Sequence, residues 1–261
     1  YLPHAMPGST DTPFASPAFQ GVSRNGRYGD SVEELDWSAG EIMATLQRLG
    51  LDRRTLVVWT SDNGAVCRHP PQGSNAPLRG WGYDTSEGSQ RMPCLVRWPG
   101  HLPAGTVCDE VLTMMDWLPT LARLTDAALP AGRTLDGHDV MPVLQGRPDA
   151  VSPYDERGFF YYFMDQLQAV RSGPWKLYLP LTRKRSDLGG RFTESPALLF
   201  DVRHDLGEER EVSGAHPEVV RHLLALAETA RTELGDLDRE GRGQRPAGWV
   251  EVATARRLPE R

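Results

Sequence analysis

The sequence predicts an α/β fold in two parts. Over residues 1–153, helical and strand patterns alternate, which favours a mixed or parallel sheet flanked by helices. Over residues 154–261, short strand patterns follow one another without helices between them, which favours a small antiparallel sheet. One long helical pattern at 217–234 comes after these strands and precedes a charged tail. We therefore predict two domains with a boundary near residue 153.

The first part contains a long helix that leads directly into a short apolar strand. Apolar residues recur at three- and four-residue intervals over 30–49, and Gly50 marks the end of the helix. Asp30 and Glu33 have the spacing of a capping box. The strand, at 55–60, has no polar alternation, which is typical of a strand covered on both faces in a parallel sheet. The other strands are predicted at 93–98, 109–113, 158–163, 168–171, 175–179 and 197–200.

The composition is that of an ordinary globular protein and excludes several classes of function. The 261 residues carry a net charge of −6, so the basic stripe typical of nucleic-acid-binding proteins is missing. No apolar run approaches the roughly 20 residues of a membrane span. Cys67, Cys94 and Cys108 are too few and too scattered for a disulfide framework or a zinc ribbon. Because the chain starts at Tyr1 without a methionine, we expect it to be a piece of a longer protein.

Two oxygen-bearing side chains, Asp62 and Asn63, follow the strand at 55–60. In open α/β sheets, ligands bind beyond the carboxyl ends of the strands, and carboxylate and amide oxygens suit Ca²⁺ or Mg²⁺. The alternative is a plain turn, because Asn63 and Gly64 also form the strongest short signal for a β-hairpin. The residues that follow contain two prolines and no alternating pattern, so a second hairpin strand is not evident. Both interpretations stay open on spacing alone.

A long polar segment rich in glycine occupies 73–100. Long loops of this kind are usually functional or disordered, and the tryptophans, tyrosines and arginines here favour order. Arg79 and Arg91 are candidates for binding an oxyanion. The alternative for each is a solvated side chain or a structural ion pair. Three aromatic residues, Trp81, Tyr83 and Trp98, are candidates for stacking on a sugar ring, and core packing is the alternative for Trp98, which lies at a strand end.

Several short motifs follow one another along the chain, at 26–36, 60–64, 73–80, 97–100, 115–121, 135–137 and 199–208. No single motif is specific, but their joint order along nearly the whole chain is. In this order they resemble the C-terminal part of the sulfatases, an arylsulfatase-like family of the alkaline-phosphatase-like superfamily.

This resemblance implies a partial alkaline-phosphatase-like sheet and the hydrolysis of a sulfate ester of a small molecule or carbohydrate. It implies a Ca²⁺ site with Asp62 and Asn63 among its ligands, and a formylglycine nucleophile made from a Cys/Ser-x-Pro-x-Arg motif. None of the three cysteines has a proline two residues later, so the nucleophile is expected upstream of this chain. The chain alone is then an incomplete, inactive part of the enzyme. The resemblance also implies a periplasmic or secreted protein.

The chain departs from the family at two cations that contact the sulfate. The family histidine falls at Gly8, which leaves His4 nearby, and the family lysine falls at Gly82. Transition-state charge on a sulfate needs donors or cations beyond the metal, so His4, Arg79 and Arg91 are the candidates to replace them. One alternative is therefore a catalytically impaired homologue that binds a sulfated ligand. A related phosphatase or phosphodiesterase is a weaker alternative, because this chain has no Asp-x-x-x-His cluster for a second metal.

Overall fold

A computed structural model describes residues 1–69, 71–186, 191–246 and 248–252. The helices are α1 (Gly26–Arg48), α2 (Glu87–Gln90), α3 (Trp117–Leu124), α4 (Met141–Leu144), α5 (Tyr154–Arg157) and α6 (Pro217–Leu234). The strands are β1 (Val57–Thr60), β2 (Cys94–Arg97), β3 (Phe159–Phe163), β4 (Gln166–Ser172), β5 (Trp175–Tyr178), β6 (Leu181–Arg185), β7 (Phe192–Ser195) and β8 (Leu198–Asp201). The predicted α/β class is confirmed. None of the helices in the described residues is long and apolar enough to cross a membrane.

Strand β1 differs from the prediction in its pairing. It runs antiparallel to β2, with Val57 opposite Arg97 and Thr60 opposite Cys94, and these two strands form a sheet of their own in the described residues. Trp59 is 41% exposed, so the strand is not covered on both faces here. The expected parallel pairing is therefore wrong for the part of the chain that the structure describes. The apolar run predicted a strand correctly, but composition does not specify which strand lies beside it.

Two local details of the first part also differ from the prediction. Helix α1 begins at Gly26, so Asp30 lies inside the helix and does not cap it. The Asp30 carboxylate instead accepts backbone hydrogen bonds of 2.8 Å from Gly21 and from Ser23, and these bonds lower its pKa. Residues 109–113 have no strand pairing in the structure, although a strand was predicted there. The chain there is tied to later residues by side-chain hydrogen bonds, such as that between the Thr113 and Tyr154 hydroxyls at 2.9 Å.

The second part is a four-stranded antiparallel sheet in the order β3-β4-β5-β8. Helix α6 occupies the predicted span of 217–234 and packs its apolar stripe on one face of this sheet. Burial of these aliphatic side chains is the main source of stability for this part. The fully buried residues of that layer are Leu167, Val170, Leu177, Leu179, Leu199, Leu223 and Ala227.

The β6–β7 hairpin was not predicted, because the strand Leu181–Arg185 is mostly charged and has no apolar alternation. The other strands of this part match the predictions within about two residues. The predicted tail at 238–261 lies partly outside the described residues. The division near residue 153 stays a prediction.

The face of the sheet opposite α6 lies against the polar segment of the first part. Its buried residues include Tyr161, Tyr178 and Phe200. Glu87 of α2 reaches this face, where its carboxylate accepts a 2.8 Å hydrogen bond from the Tyr161 hydroxyl. The sheet therefore lies between α6 on one side and the segment that follows β1 on the other. This arrangement connects the second part of the chain to the candidate site.

Candidate functional site

Two side chains just after β1, Asp62 and Asn63, have oxygens that are free to bind a metal ion. Asp62 is exposed, and its Oδ1 accepts a long 3.4 Å contact from the Ser61 hydroxyl. The Asn63 amide nitrogen donates to the Gly64 carbonyl at 2.8 Å, while its oxygen accepts no hydrogen bond from the described residues. A carboxylate and an amide oxygen are hard ligands of the kind that Ca²⁺ takes, so these two residues fit such an ion.

Gly64 holds this strand end against the polar segment. Its amide donates to the Ser89 carbonyl at 2.8 Å. A side chain here is excluded by space, because a Cβ would lie 1.7 Å from the Gly88 carbonyl oxygen. The Asn75 side chain also accepts from the Ala65 amide at 2.7 Å. The chain after Asn63 therefore docks into a loop, and the hairpin alternative is not what the structure has.

Gly82, where the family lysine falls, lies beside Asn63. A Cβ at this position would lie 3.4 Å from the Asn63 amide nitrogen. It would also lie 2.7 Å from a Val66 methyl group and 2.9 Å from the Gly64 carbonyl oxygen. The local packing therefore leaves no room for a side chain at Gly82. The neighbouring residues fit a glycine at this position and would not fit a lysine.

Gly8, where the family histidine falls, lies in a loop fastened by a buried arginine. The Arg68 guanidinium donates to the carbonyls of Gly8 and Thr10, and it lies 4.8 Å from the centre of the Tyr28 ring. Arg68 is fully buried. Sequence reasoning missed this residue, because its burial depends on contacts with a loop about 60 positions away in the chain.

The three other candidates occupy different surroundings. The His4 ring lies 3.4 Å from the Ser38 hydroxyl of α1. Arg91 lies 3.9 Å from the Asp109 carboxylate on the surface, which is the structural ion pair considered above. Arg79 is exposed, and its carbonyl accepts the Gly88 amide at 2.7 Å. Of the predicted residues, the structure thus brings together Asp62 and Asn63 and attaches Arg79 to the same loop. It shows no contact that brings His4 or Arg91 to them within the described residues.

A buried charged cluster, which the sequence reasoning did not find, fastens this loop to the antiparallel sheet. The Glu87 carboxylate is bonded to the Arg171 guanidinium at 2.9 Å and to the Lys176 ammonium at 3.0 Å. Burial raises the pKa of Glu87, but the charges of Lys176 and Arg171 and the hydrogen bonds from Lys176 and Tyr161 outweigh it. The pKa therefore lies below its usual value, and Glu87 is a buried carboxylate anion at neutral pH.

Lys176 completes the cluster from β5. Its ammonium is fully buried and lies 3.2 Å from the Glu208 carboxylate, and it donates to the Thr85 carbonyl at 2.8 Å. The Tyr178 hydroxyl donates to the same glutamate at 2.7 Å. The cluster links the loop with the sheet through bonds that are stronger than neutral hydrogen bonds. The sequence offered one sign of this cluster, because Lys176 is one of only two lysines in the chain.

The aromatic candidates divide between surface and packing roles. Tyr83 is 55% exposed and has a positive φ of 76°, while Trp81 is half-buried. Trp98 stacks on the His101 ring at 4.0 Å and donates to the Arg53 carbonyl at 3.2 Å. Trp98 therefore packs within the first part, and Tyr83 is the aromatic side chain free to meet a ligand beside Gly82.

The described residues contain no group of three or more His, Cys, Asp and Glu side chains that could hold a metal ion. A hard cation such as Ca²⁺ takes six to eight oxygens, so Asp62 and Asn63 alone would supply too few for it.

Comparisons with known proteins identify the family and the fold. The family model for sulfatases matches residues 3–127, and that for the C-terminal region of aryl-sulfatase matches residues 154–249. A solved structure from work on glycosaminoglycan metabolism by Bacteroides thetaiotaomicron is 29% identical, with a TM-score of 0.69 over 83% of this chain and 47% of that one. A sulfatase from Pseudoalteromonas sp., 22% identical, shares the fold with a TM-score of 0.69, over 83% of this chain and 45% of its own. The fold is thus that of the alkaline-phosphatase-like hydrolases.

The chain belongs to the sulfatase family. The mouse steryl-sulfatase is 41% identical over 250 residues, which cover 85% of this chain and 40% of that protein. The rat N-acetylgalactosamine-6-sulfatase is 40% identical over 169 residues, which cover 64% of this chain and 31% of that protein. The chain therefore spans less than half the length of the curated relatives that it matches.

Proposed function

We propose that the protein containing this chain hydrolyses sulfate esters and that Asp62 and Asn63 bind its Ca²⁺. The observation that carries the proposal is the pair of oxygen donors at the end of β1, held in place by the Gly64 contact in a chain of the sulfatase family. The family is one of metal-dependent enzymes, and Ca²⁺ is the ion that this oxygen pair favours over softer metals. When bound, such an ion supplies positive charge to the oxygens of a sulfate group.

The residues of this chain then position the metal and the substrate. Asp62 contributes a full negative charge and Asn63 a neutral oxygen. Gly64 fixes both by its bond to Ser89, since a ligand that shifts by about 1 Å can lower the rate about 10²-fold. Arg79 supplies a positive charge to an anionic substrate from the loop that packs on Gly64. The nucleophile is expected from the part of the protein upstream of this chain.

The substrate class follows from the relatives and from the surface next to the site. We propose a sulfate ester of a carbohydrate or a steroid, the two classes that the relatives' names indicate. Tyr83 offers an exposed ring of the kind that stacks on either leaving group. We also propose that residues 1–153 form part of the catalytic domain and that residues 154–261 form a subdomain joined to it through Glu87.

One observation favours a second candidate, a homologue that binds a sulfated ligand without turnover. The two family cations that contact sulfate are replaced by Gly8 and Gly82, and the packing around Gly82 excludes any side chain. Hydrolysis then depends on other cations to stabilise the transition state.

The test is hydrolysis of 4-nitrophenyl sulfate by the complete protein, with and without a calcium chelator. We expect chelator-sensitive turnover that falls about 10²-fold or more in Asp62→Ala and in Asn63→Ala. Asp149→Ala removes an exposed carboxylate elsewhere and should leave the rate unchanged. Binding of the ester without turnover would reject hydrolysis and support the second candidate. Turnover that is unaffected by Asp62→Ala would reject the assignment of the metal ligands.

A further inference from the structure

Two cationic side chains from distant parts of the sequence lie near the ring of Tyr178. The Arg79 guanidinium carbon lies 6.0 Å from the ring centre, and the Lys184 ammonium lies 5.8 Å from it. Arg79 belongs to the loop after β1, and Lys184 belongs to the β6–β7 hairpin. Both distances are within the range over which a cation is attracted to an aromatic ring. Two segments that are far apart in the sequence therefore each place a positive charge near the Tyr178 ring.

Within the described residues, neither of these two side chains forms a hydrogen bond or an ion pair. A third cation near the ring, Lys176 at 4.8 Å, is bonded to Glu87 and Glu208 and is therefore balanced. The acid that faces Lys184 is Asp84, whose charge raises the pKa of Lys184. Asp84 offsets one positive charge, so Arg79 and Lys184 together keep a net positive charge.

Lys184 is also partly removed from water. Burial lowers its pKa, and the positive charges of Arg79 and Lys176 lower it further, against the raising effect of Asp84. A cation that has lost part of its hydration without gaining a hydrogen-bonded partner is unfavourable in the free protein. An anion that binds there regains the lost interaction, and the neighbouring guanidinium offers a planar pair of donors for it.

The loop that carries Arg79 also contacts the strand end that carries Asp62 and Asn63. The Arg79 carbonyl accepts the Gly88 amide at 2.7 Å, and the Gly64 amide donates to Ser89, the next residue along. Gly64 in turn directly follows Asn63. A ligand whose ester group lies at Asp62 and Asn63 therefore lies against the loop that carries Arg79.

We propose that Arg79 and Lys184 form a subsite for a second anionic group of the ligand, a carboxylate or a second sulfate, so that the ligand is a polyanionic sulfate ester. The proposal rests on the proposed function for the location of the first sulfate. It assigns a role to the β6–β7 hairpin and uses a lysine that no step of the proposed hydrolysis requires.

Binding of sulfonates to the complete protein tests this subsite without turnover, because sulfonates have no ester bond to cleave. The probes are benzenesulfonate, benzene-1,3-disulfonate and 3-sulfobenzoate, measured by isothermal titration calorimetry. We expect the second anionic group to tighten binding about tenfold or more, the effect of one charge-assisted hydrogen bond. The dianionic probe with the larger gain in affinity over benzenesulfonate shows whether a sulfate or a carboxylate is preferred. No gain in affinity with either dianionic probe would overturn the proposal.

Variants separate the subsite from general electrostatic attraction. Lys184→Gln should reduce the gain to about twofold or less, and Lys184→Arg should keep it, since the charge is retained. Arg183→Gln removes a charge from the same strand, where the guanidinium lies 4.3 Å from the Phe192 ring, and should keep the gain. Equal losses in Lys184→Gln and Arg183→Gln would contradict the subsite.

The outcomes are independent of catalysis. A gain that depends on Lys184, in a protein that hydrolyses no sulfate ester, would uphold the subsite and reject the proposed hydrolysis. Hydrolysis without any such gain would reject the subsite alone.

Discussion

Replacing Glu87 by glutamine should strongly destabilise the protein. The substitution keeps the shape of the side chain but removes the negative charge that Arg171 and Lys176 contact at 2.9 and 3.0 Å. Both cations are buried, and removal of one partner from a buried ion pair costs about 3–5 kcal/mol. Whole proteins are stable by only about 5–15 kcal/mol, so this loss is a large share of the total. Lys176 keeps Glu208 as a second partner, which places the expected loss near the lower end.

Urea unfolding, followed by circular dichroism, measures this effect. With a slope of about 2 kcal/mol per M, a loss of about 3 kcal/mol lowers the midpoint by about 1.5 M. The control is Asp136→Asn, which makes the same change in an exposed pair with Arg245 and should leave the midpoint nearly unchanged. A shift in Glu87→Gln as small as that of the control would refute the reasoning that the buried cluster joins the two parts of the chain.

Three further predictions concern stability and the loop. Gly64→Ala should displace the strand end from Gly88, because the new Cβ would lie 1.7 Å from the Gly88 carbonyl oxygen. We therefore expect weaker Ca²⁺ binding by the complete protein in calorimetry. Unchanged Ca²⁺ affinity would contradict this contact. Leu223→Ala should cost about 2–5 kcal/mol in urea unfolding, whereas Leu234→Ala, 42% exposed on the same helix, should cost clearly less. Because the folded pKa of Glu87 lies below its usual value of 4.5, its contribution is present above that value and is lost as pH falls through the folded pKa. The urea midpoint should therefore fall with acidification by more in the parent than in Glu87→Gln, and parallel pH profiles would contradict this.

The second part of the chain was predictable because local pattern and packing agree there. The stripe of Val219, Leu223 and Ala227 specifies one face of α6, and that face packs on the sheet as the spacing indicates. Strands β3, β4 and β5 likewise pair with their neighbours in sequence, whereas β8 pairs with β5 across the β6–β7 hairpin. The spacing of apolar residues records which face of each element is buried, and the two buried faces meet here.

The first part was less predictable because its contacts are distant in sequence. The apolar run at β1 specifies a strand, but its partner β2 lies about 35 residues later and the direction of pairing is not encoded in either strand alone. The capping-box spacing of Asp30 and Glu33 is present, yet the carboxylate of Asp30 is taken by the loop at 21–23.

The candidate site shows the same division. Asp62 and Asn63 could be predicted as candidates because they are adjacent oxygen-bearing residues at a strand end, and their role stays a prediction. Glu87, Lys176 and Arg68 were missed because charged residues are assumed exposed until a partner is known, and each has a partner more than 50 positions away.

Calcium titration of the complete protein tests the central claim, that Asp62 and Asn63 are metal ligands of a sulfatase. We expect calorimetry to show one site in the parent and in Asp149→Ala, with binding weakened about 10-fold or more in Asp62→Ala, since a charged ligand is lost. Asn63→Ala should weaken binding as well, by less because the lost ligand is neutral. Undiminished Ca²⁺ affinity in Asp62→Ala would contradict the account.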